Sequence, residues 1–348
     1  MPPTCKISDI VATFRPAKAF SPPSPSNTHI SMDFDDTGEF LLLSRTDDTL
    51  QLYNTAAGAH AKELKSHKYG CALARFTHHA PSIIYASTKV DDGIRYLSMH
   101  DNSFIRYFRG HEDRVTCLAV NPSKDQFLSA ARDNTVRIWD ARSTTAIGLM
   151  AFDGLRLCAY DPSACVIAVA APAAQLVVLY DLKNFDKPPF ATFDLREIEK
   201  KCGNGNGGAW TGMEFANNGQ TILVTTNGAG HYLIDAFNGD LRRYLRRPSG
   251  PNGLAAPVDP LPKELPSYCQ ADAALAPDGR FVIGGNGKKP GLLVWDTNAP
   301  AQDAVGGLLP TSELPCTTTA KVAVYNPRYN LLASADRDVM LWQPDADV

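Results

Sequence analysis

An all-β ring of seven blades is the architecture this sequence predicts, on three observations. Short runs of alternating apolar residues recur along the chain, separated by turns rich in Asn, Asp, Pro and Gly. The residue ending the first run of each unit recurs at Phe34, Phe76, Val120, Tyr160, Phe215, Leu275 and Tyr325. One unit, GHEDRVTCLAVNPSKDQFLSAARDNTVRIWD (Gly110–Asp140), opens on Gly-His and closes on Trp-Asp. Units of about 40–45 residues punctuated in this way are the signature of a WD-repeat β-propeller with four strands to a blade.

In chain order, Ile10–Phe20 is strand-like and is followed by a Pro/Ser-rich loop at 21–26. Only six residues follow Trp342, too few for a fourth strand in the last blade. The N-terminal strand is therefore expected to complete blade seven, which closes the ring and removes an open edge. The first four markers are 42, 44 and 40 residues apart, and the later gaps are 55, 60 and 50. The excess falls in 195–209 (LREIEKKCGNGNGGA) and 248–266 (PSGPNGLAAPVDPLPKELP), both expected as surface loops. Residues 1–348 thus read as one propeller, although length alone suggests about two domains.

Within Gly110–Asp140 the spacing makes a structural tetrad of His111, Ser129, Asp133 and Trp139. Asp133 is placed to accept from His111, His111 to reach Ser129, and Ser129 to reach the Trp139 indole. A buried ring left without a partner costs on the order of 1–3 kcal/mol, so the four support one another. Blade two offers His67, Ser87 and Asp91, with Leu97 where Trp would stand. Blade one offers Ser44 with Asp47 or Asp48 and Tyr53; blade seven offers Ser334 with Asp336 or Asp338 and Trp342. Ala174, Gly228 and Lys289 replace the Asp in blades four, five and six, which are expected to lean on apolar packing.

Composition narrows the function. A net charge of −3 argues against direct nucleic-acid binding, which normally shows as a basic surplus. Eight cysteines are scattered without a C-x-x-C pair, so neither a metal site, a cofactor nor a disulfide framework is expected. The N-terminus lacks a signal-peptide core, and the most apolar run, Val166–Tyr180, is too short to span a bilayer. A reducing intracellular compartment and no membrane association follow as expectations.

No catalytic residues are expected. His111, Ser129 and Asp133 superficially form a Ser-His-Asp triad, but at the offsets of a structural network. GNGNGG (Gly203–Gly208) opens no helix after a strand, so the dinucleotide reading fails. GGNGKKPG (Gly284–Gly291) has Pro290 where a phosphate loop needs Ser or Thr, and reads as a β-turn. Arg242, Arg243, Arg246 and Arg247 in LRRYLRR read either as a side surface for an acidic partner or as a charge-protected edge strand. Trp210 reads either as packed core or as part of a peptide-binding face. By register, the face carrying the loop before each first strand should include Tyr69, Arg114, Arg132, Trp210, Asn227, Tyr268 and Arg337.

Three further stretches are more specific than the repeat: DDGIRYLSMHDNSFIRYFRGHEDRV (Asp91–Val115), YDLKNFDKPPFATF (Tyr180–Phe193) and LIDAFNG (Leu233–Gly239). With NTVRIWDARS they resemble the WD-repeat-containing protein 82 family, in register from about Ile10 to Trp342. That resemblance implies a non-enzymatic, nuclear adaptor of the COMPASS complex that methylates lysine 4 of histone H3. It implies docking of the N-terminal region of a SET-domain methyltransferase. It also implies membership of the cleavage and polyadenylation factor, through its phosphatase-module scaffold and phosphatase, and so a role in transcription termination and RNA 3′-end processing. An alternative is a reader of a modified peptide such as the phosphorylated RNA polymerase II tail.

Overall fold

Where apolar residues fall decides which strands are inner and which outer. Phe40–Arg45 is buried at five of its six positions because a neighbouring blade covers each face. Ser103–Phe108 alternates between exposed and partly buried positions, as a strand with one solvated face must. The computed structural model of the chain describes residues 7–24, 26–79, 81–154, 156–202, 209–248, 271–302 and 306–345.

Among the described residues seven sheets follow one another, antiparallel but for one pair of strands. The first strand, β1 (Phe14–Phe20), belongs to the last blade. Blade one is β2 (His29–Phe34), β3 (Phe40–Arg45), β4 (Thr49–Asn54) and β5 (Ala59–Lys65). Blade two is β6 (Ala72–Phe76), β7 (Ser82–Ala86), β8 (Ile94–Ser98) and β9 (Ser103–Phe108). Blade three is β10 (Val115–Val120), β11 (Gln126–Ala131), β12 (Thr135–Asp140) and β13 (Ala146–Ala151). Blade four is β14 (Leu157–Tyr160), β15 (Val166–Ala171), β16 (Leu176–Asp181) and β17 (Ala191–Asp194). Blade five holds β18 (Trp210–Phe215), β19 (Thr221–Thr226), β20 (Gly230–Asp235) and β21 (Leu241–Arg246). Blade six is β22 (Ala273–Leu275), β23 (Phe281–Gly285), β24 (Leu292–Asp296) and β26 (Ser312–Leu314), with β25 (Gly307–Leu308) lying between β24 and β26 in sequence. Blade seven is β27 (Val322–Tyr325), β28 (Leu332–Ala335) and β29 (Val339–Pro344), with β1 antiparallel to β29 and Pro16 opposite Trp342.

The seven-bladed ring and its closure by the N-terminal strand are therefore as expected, with three corrections. The strand begins at Phe14, not Ile10: Ile7–Ile10 is a helical turn and Val11–Thr13 a 3-10 turn, held by Thr13 Oγ1 donating to the Ile10 carbonyl at 2.7 Å. Val11 and Phe14 are buried there between blades six and seven. Blade five has five strands, because β25 leaves blade six and pairs parallel to β21, with Tyr244 opposite Gly307. Inside the expected loop 195–209, Arg196–Lys201 is a helix, α1, while 203–208 lie outside the described residues.

Among the described residues there is no single central core. Buried apolar residues fall into seven clusters, and each joins two consecutive blades. Blades seven and one share Met32, Leu41 and Leu43 with Val322, Ala333 and Leu341; blades three and four share Leu128 and Ile138 with Ile167 and Val169. Each blade is thus a wedge whose stability depends on both neighbours. First strands bulge where they enter the ring, between His29 and Ser31, Ala72 and Arg75, Val115 and Cys117, and Trp210 and Gly212. A bulge bends the strand and re-aims the next side chain. Among the described residues no helix is long and apolar enough to cross a membrane.

Candidate functional site

In blade three, His111 Nδ1 lies 2.8 Å from Asp133 Oδ2 and its Nε2 lies 2.6 Å from Ser129 Oγ. Trp139 Nε1 donates to the same Ser129 oxygen at 2.8 Å, and Thr135 Oγ1 donates to Asp133 Oδ1 at 2.7 Å. The turn is made by Asn134, whose φ of 63° is in the left-handed region that Asn tolerates. Burial pulls the His111 imidazole below its ordinary pKa and outweighs Asp133, which pulls the other way. Burial raises the Asp133 carboxyl, but the bonds from Thr135 and His111 prevail and hold it below the usual range. Ser129 is 0% exposed, and its oxygen is shared between the indole and the imidazole. Ser129 Oγ thus ties the imidazole and the indole together in the buried interior of blade three.

Other blades solve the same problem with different residues. In blade two His67 is exposed, and the buried Arg95 takes its place. Arg95 Nε donates to Ser87 Oγ at 2.7 Å, its Nη2 reaches both Asp91 oxygens at 2.8 Å, and its guanidinium stacks 3.5 Å from the Tyr69 ring. In blade seven Trp342 Nε1 donates to Ser334 Oγ at 2.9 Å, while Asp336 takes Thr319 Oγ1 at 2.6 Å and Lys321 Nζ at 2.7 Å. Blades four to six do not rest on apolar packing alone. Glu199 of α1 accepts from Trp210 Nε1 at 2.8 Å and from Gln175, joining blades four and five. The helix Arg196–Lys201 carries that carboxylate between the two blades.

The expected peptide-binding face is distributed as follows. Asn227, Arg132 and Arg337 are exposed and Arg114 is half-buried, all in connections at the end of the ring where first strands begin. Arg114 and Arg132 leave one rung of the rim: the Arg132 N–H donates to the Arg114 carbonyl at 3.0 Å. Tyr69 is half-buried under Arg95. Trp210 is core, 3% exposed and bonded to Glu199, so it leaves the face. Tyr268 lies outside the described residues, as do 249–270 as a whole.

The basic run is a seam, not a free side surface. Arg247, 9% exposed, pairs with Asp272 and donates to the Gly228 carbonyl at 2.7 Å. Arg243 Nε donates to the Thr297 carbonyl at 3.0 Å, and the Arg246 carbonyl accepts from Trp295 Nε1 at 3.0 Å. These contacts bolt blade five to blade six, and β25 covers the strand they come from. Only Arg242 is exposed, paired with Asp235 at 2.6 Å.

The central channel holds residues the sequence reasoning passed over. Asp33, Arg75 and Glu214 each stand immediately before the residue that ends a first strand, and that position faces the axis. A cavity of about 360 Å³ is lined there by Arg75, Cys117, Cys158, Thr211 and Glu214 among others. Burial raises the Asp33 carboxyl to about 6 against the pull of Arg75. Glu214 is open to the channel but walled in by strands, and that enclosure raises it to about 7. The signal was available: a charge at the one position where other blades place Ala119, Ala159, Ala274 or Val324. Among the described residues no three His, Cys, Asp or Glu side chains gather as metal ligands.

Comparison with known proteins agrees with this geometry. The WD domain, G-beta repeat family matches residues 102–140, the outer strand of blade two and most of blade three. WD repeat-containing protein 82 of Drosophila melanogaster is 36% identical over 342 residues, 98% of each chain. The Set1 complex component swd2 of Schizosaccharomyces pombe is 32% identical over 96% of this chain and 98% of its own. The COMPASS component SWD2 of Saccharomyces cerevisiae is 32% identical over 94% of each.

Proposed function

The chain belongs to the family of WD repeat-containing protein 82 and SWD2, and from that premise we propose that it is a non-catalytic scaffold subunit of a COMPASS-like histone H3 lysine 4 methyltransferase complex. The observation that carries this reading is the end-to-end match to proteins named as components of the Set1 complex and of COMPASS. Burial of Ser129 supports the absence of hydrolytic chemistry at the one triad-like cluster. The partner is the N-terminal region of the SET-domain subunit, a segment that orders on binding and is held by a few anchors.

The same adaptor, on this proposal, works in the nucleus and also joins the cleavage and polyadenylation factor through its phosphatase module, linking termination and RNA 3′-end processing. The sequence resemblance supports that extension. A second reading, a reader of a phosphorylated peptide such as the RNA polymerase II tail, draws support from Arg114 and Arg132 leaving a single rung of the rim.

The test is affinity purification of the tagged full chain from nuclear extract, with partners identified by mass spectrometry. A SET-domain methyltransferase and phosphatase-module subunits are expected. Recovery of neither, or methylation of histone H3 by the isolated chain, overturns the reading. Changing Arg114 and Arg132 to Glu should release the partner with the melting temperature held. If Arg242→Glu releases it instead, docking is on the side of the ring.

A further inference from the structure

Blades three and four meet at the channel through two cysteines. Cys117 follows the bulge that opens β10, and Cys158 is the second residue of β14. Their sulfurs are 3.5 Å apart, and the Cys158 N–H points at Cys117 Sγ at 3.4 Å. Both line the channel cavity of about 360 Å³; Cys117 is half-buried and Cys158 buried. A molecule the size of a peroxide has room to reach the Cys117 sulfur from that side.

The Cys117 thiol differs from that of Cys71. Burial pushes the Cys71 thiol up to about 12, which leaves it inert. At Cys117 the bond from the Cys158 thiol leads, and with the Cys158 N–H and the charge of Arg75 it outweighs burial and lowers the thiol. Cys165, by contrast, is exposed on the outside.

We propose that Cys117 and Cys158 form a peroxide-responsive dithiol that closes reversibly into a disulfide between blades three and four. The Cys117 thiolate attacks one oxygen of hydrogen peroxide; the O–O bond breaks and hydroxide leaves, taking up the proton Cys117 released, as water. Cys117 is then a sulfenic acid. The Cys158 sulfur attacks the Cys117 sulfur, the S–O bond breaks, and the departing hydroxide takes the Cys158 proton as a second water. Two thiols lose two electrons, and one peroxide is reduced to two waters. The sulfurs close from 3.5 Å to the ~2.05 Å of a bond, a displacement the bulge and the open channel side accommodate. A small thiol such as glutathione reverses the step by exchange.

The experiment treats the full-length chain with one equivalent of hydrogen peroxide at about pH 7.5, then blocks free thiols, digests without reductant and identifies linked peptides by mass spectrometry. Expected are a Cys117–Cys158 linked pair, loss of two thiols per chain, their recovery with dithiothreitol, and Cys165 still reduced. C117S should abolish the link and leave Cys158 reduced; C158S should leave Cys117 as a sulfenic acid trapped by dimedone. C117A repeats the C117S readout, and the melting temperature of each variant separates lost chemistry from lost folding. Oxidation of Cys165 ahead of the pair, unchanged thiol loss in folded C117S or C117A, or conversion of wild-type Cys117 to sulfinic acid without a link overturns the proposal.

Discussion

The side-chain nitrogen of Asn326 in blade seven donates to the carbonyl of Gly38 in blade one at 2.8 Å. Asn326 is 0% exposed, and its oxygen also accepts the backbone N–H groups of Arg328 and Tyr329 at 2.9 Å. This bond ties blade seven to blade one, the two blades that the chain otherwise joins through the connection from β1 to β2. Gly38 has φ of 74°, and a Cβ there would strike the Asn326 carboxamide. Gly219 has φ of 68° with nothing within 4 Å of its missing Cβ. Both Gly→Ala changes bear the left-handed backbone penalty of about 1–2 kcal/mol. Gly38→Ala should cost distinctly more by chemical denaturation, and equal losses would remove the steric part of this account.

The blade-three tetrad has a pH signature. His111 is held below its unfolded pKa, so its contribution is full above about pH 6.5. As pH falls, the unfolded chain takes up a proton that the folded chain resists, and that contribution is lost. His111→Gln should therefore destabilise at about pH 7.5, by roughly 1–3 kcal/mol, and its deficit against wild type should narrow toward pH 5.5. His67→Ala, at an exposed residue, should change stability by less than about 0.5 kcal/mol. A gap that stays constant with pH would contradict the burial of a neutral imidazole.

Arg95→Ala should be among the costliest changes in blade two. It removes the Ser87 and Asp91 bonds from a side chain 2% exposed, and it takes the Tyr69 stack with it. Losing hydrogen bonds to a charged group suggests about 1.5–3 kcal/mol. Arg95→Lys should recover little of this, because an ammonium cannot span Ser87 and both Asp91 oxygens. Denaturation midpoints of the two variants check it; full rescue by Lys would show that charge alone matters there.

Deleting residues 1–20 removes β1 and leaves β29 as an open edge in blade seven. Because each core cluster is shared by two blades, the loss should broaden or abolish cooperative melting of the whole ring. Calorimetry reads this directly: an unchanged transition would mean that blade seven is stable with three strands.

Much of this was legible because it is local. The recurrence from Phe34 to Tyr325 counts the blades, and the offsets His111, Ser129, Asp133 and Trp139 place four side chains at one point in space. What was not legible depends on reach between blades. Arg95 replaces His67 by extending back along its own blade, and Glu199 is delivered by a helix inside what reads as a loop. Arg243 and Arg247 look solvated until blade six is set beside them, and β25 is only two residues long and pairs outside its own blade. Charges at Arg75 and Glu214 were legible in principle, but only once the axis-facing position had been identified.

Closure by β1 also fixes an order of events during synthesis. β1 leaves the ribosome before any blade exists, and its partner β29 emerges only after every other strand has been made. Through that interval the nascent protein is an open arc with a bare first strand at one end and a growing edge at the other. The fourth strand of blade seven is therefore the last pairing the ring can make. A chain broken off before Val339–Pro344 leaves β1 without the strand it pairs with, whereas in a finished chain β29 takes up its backbone and Phe14 is buried.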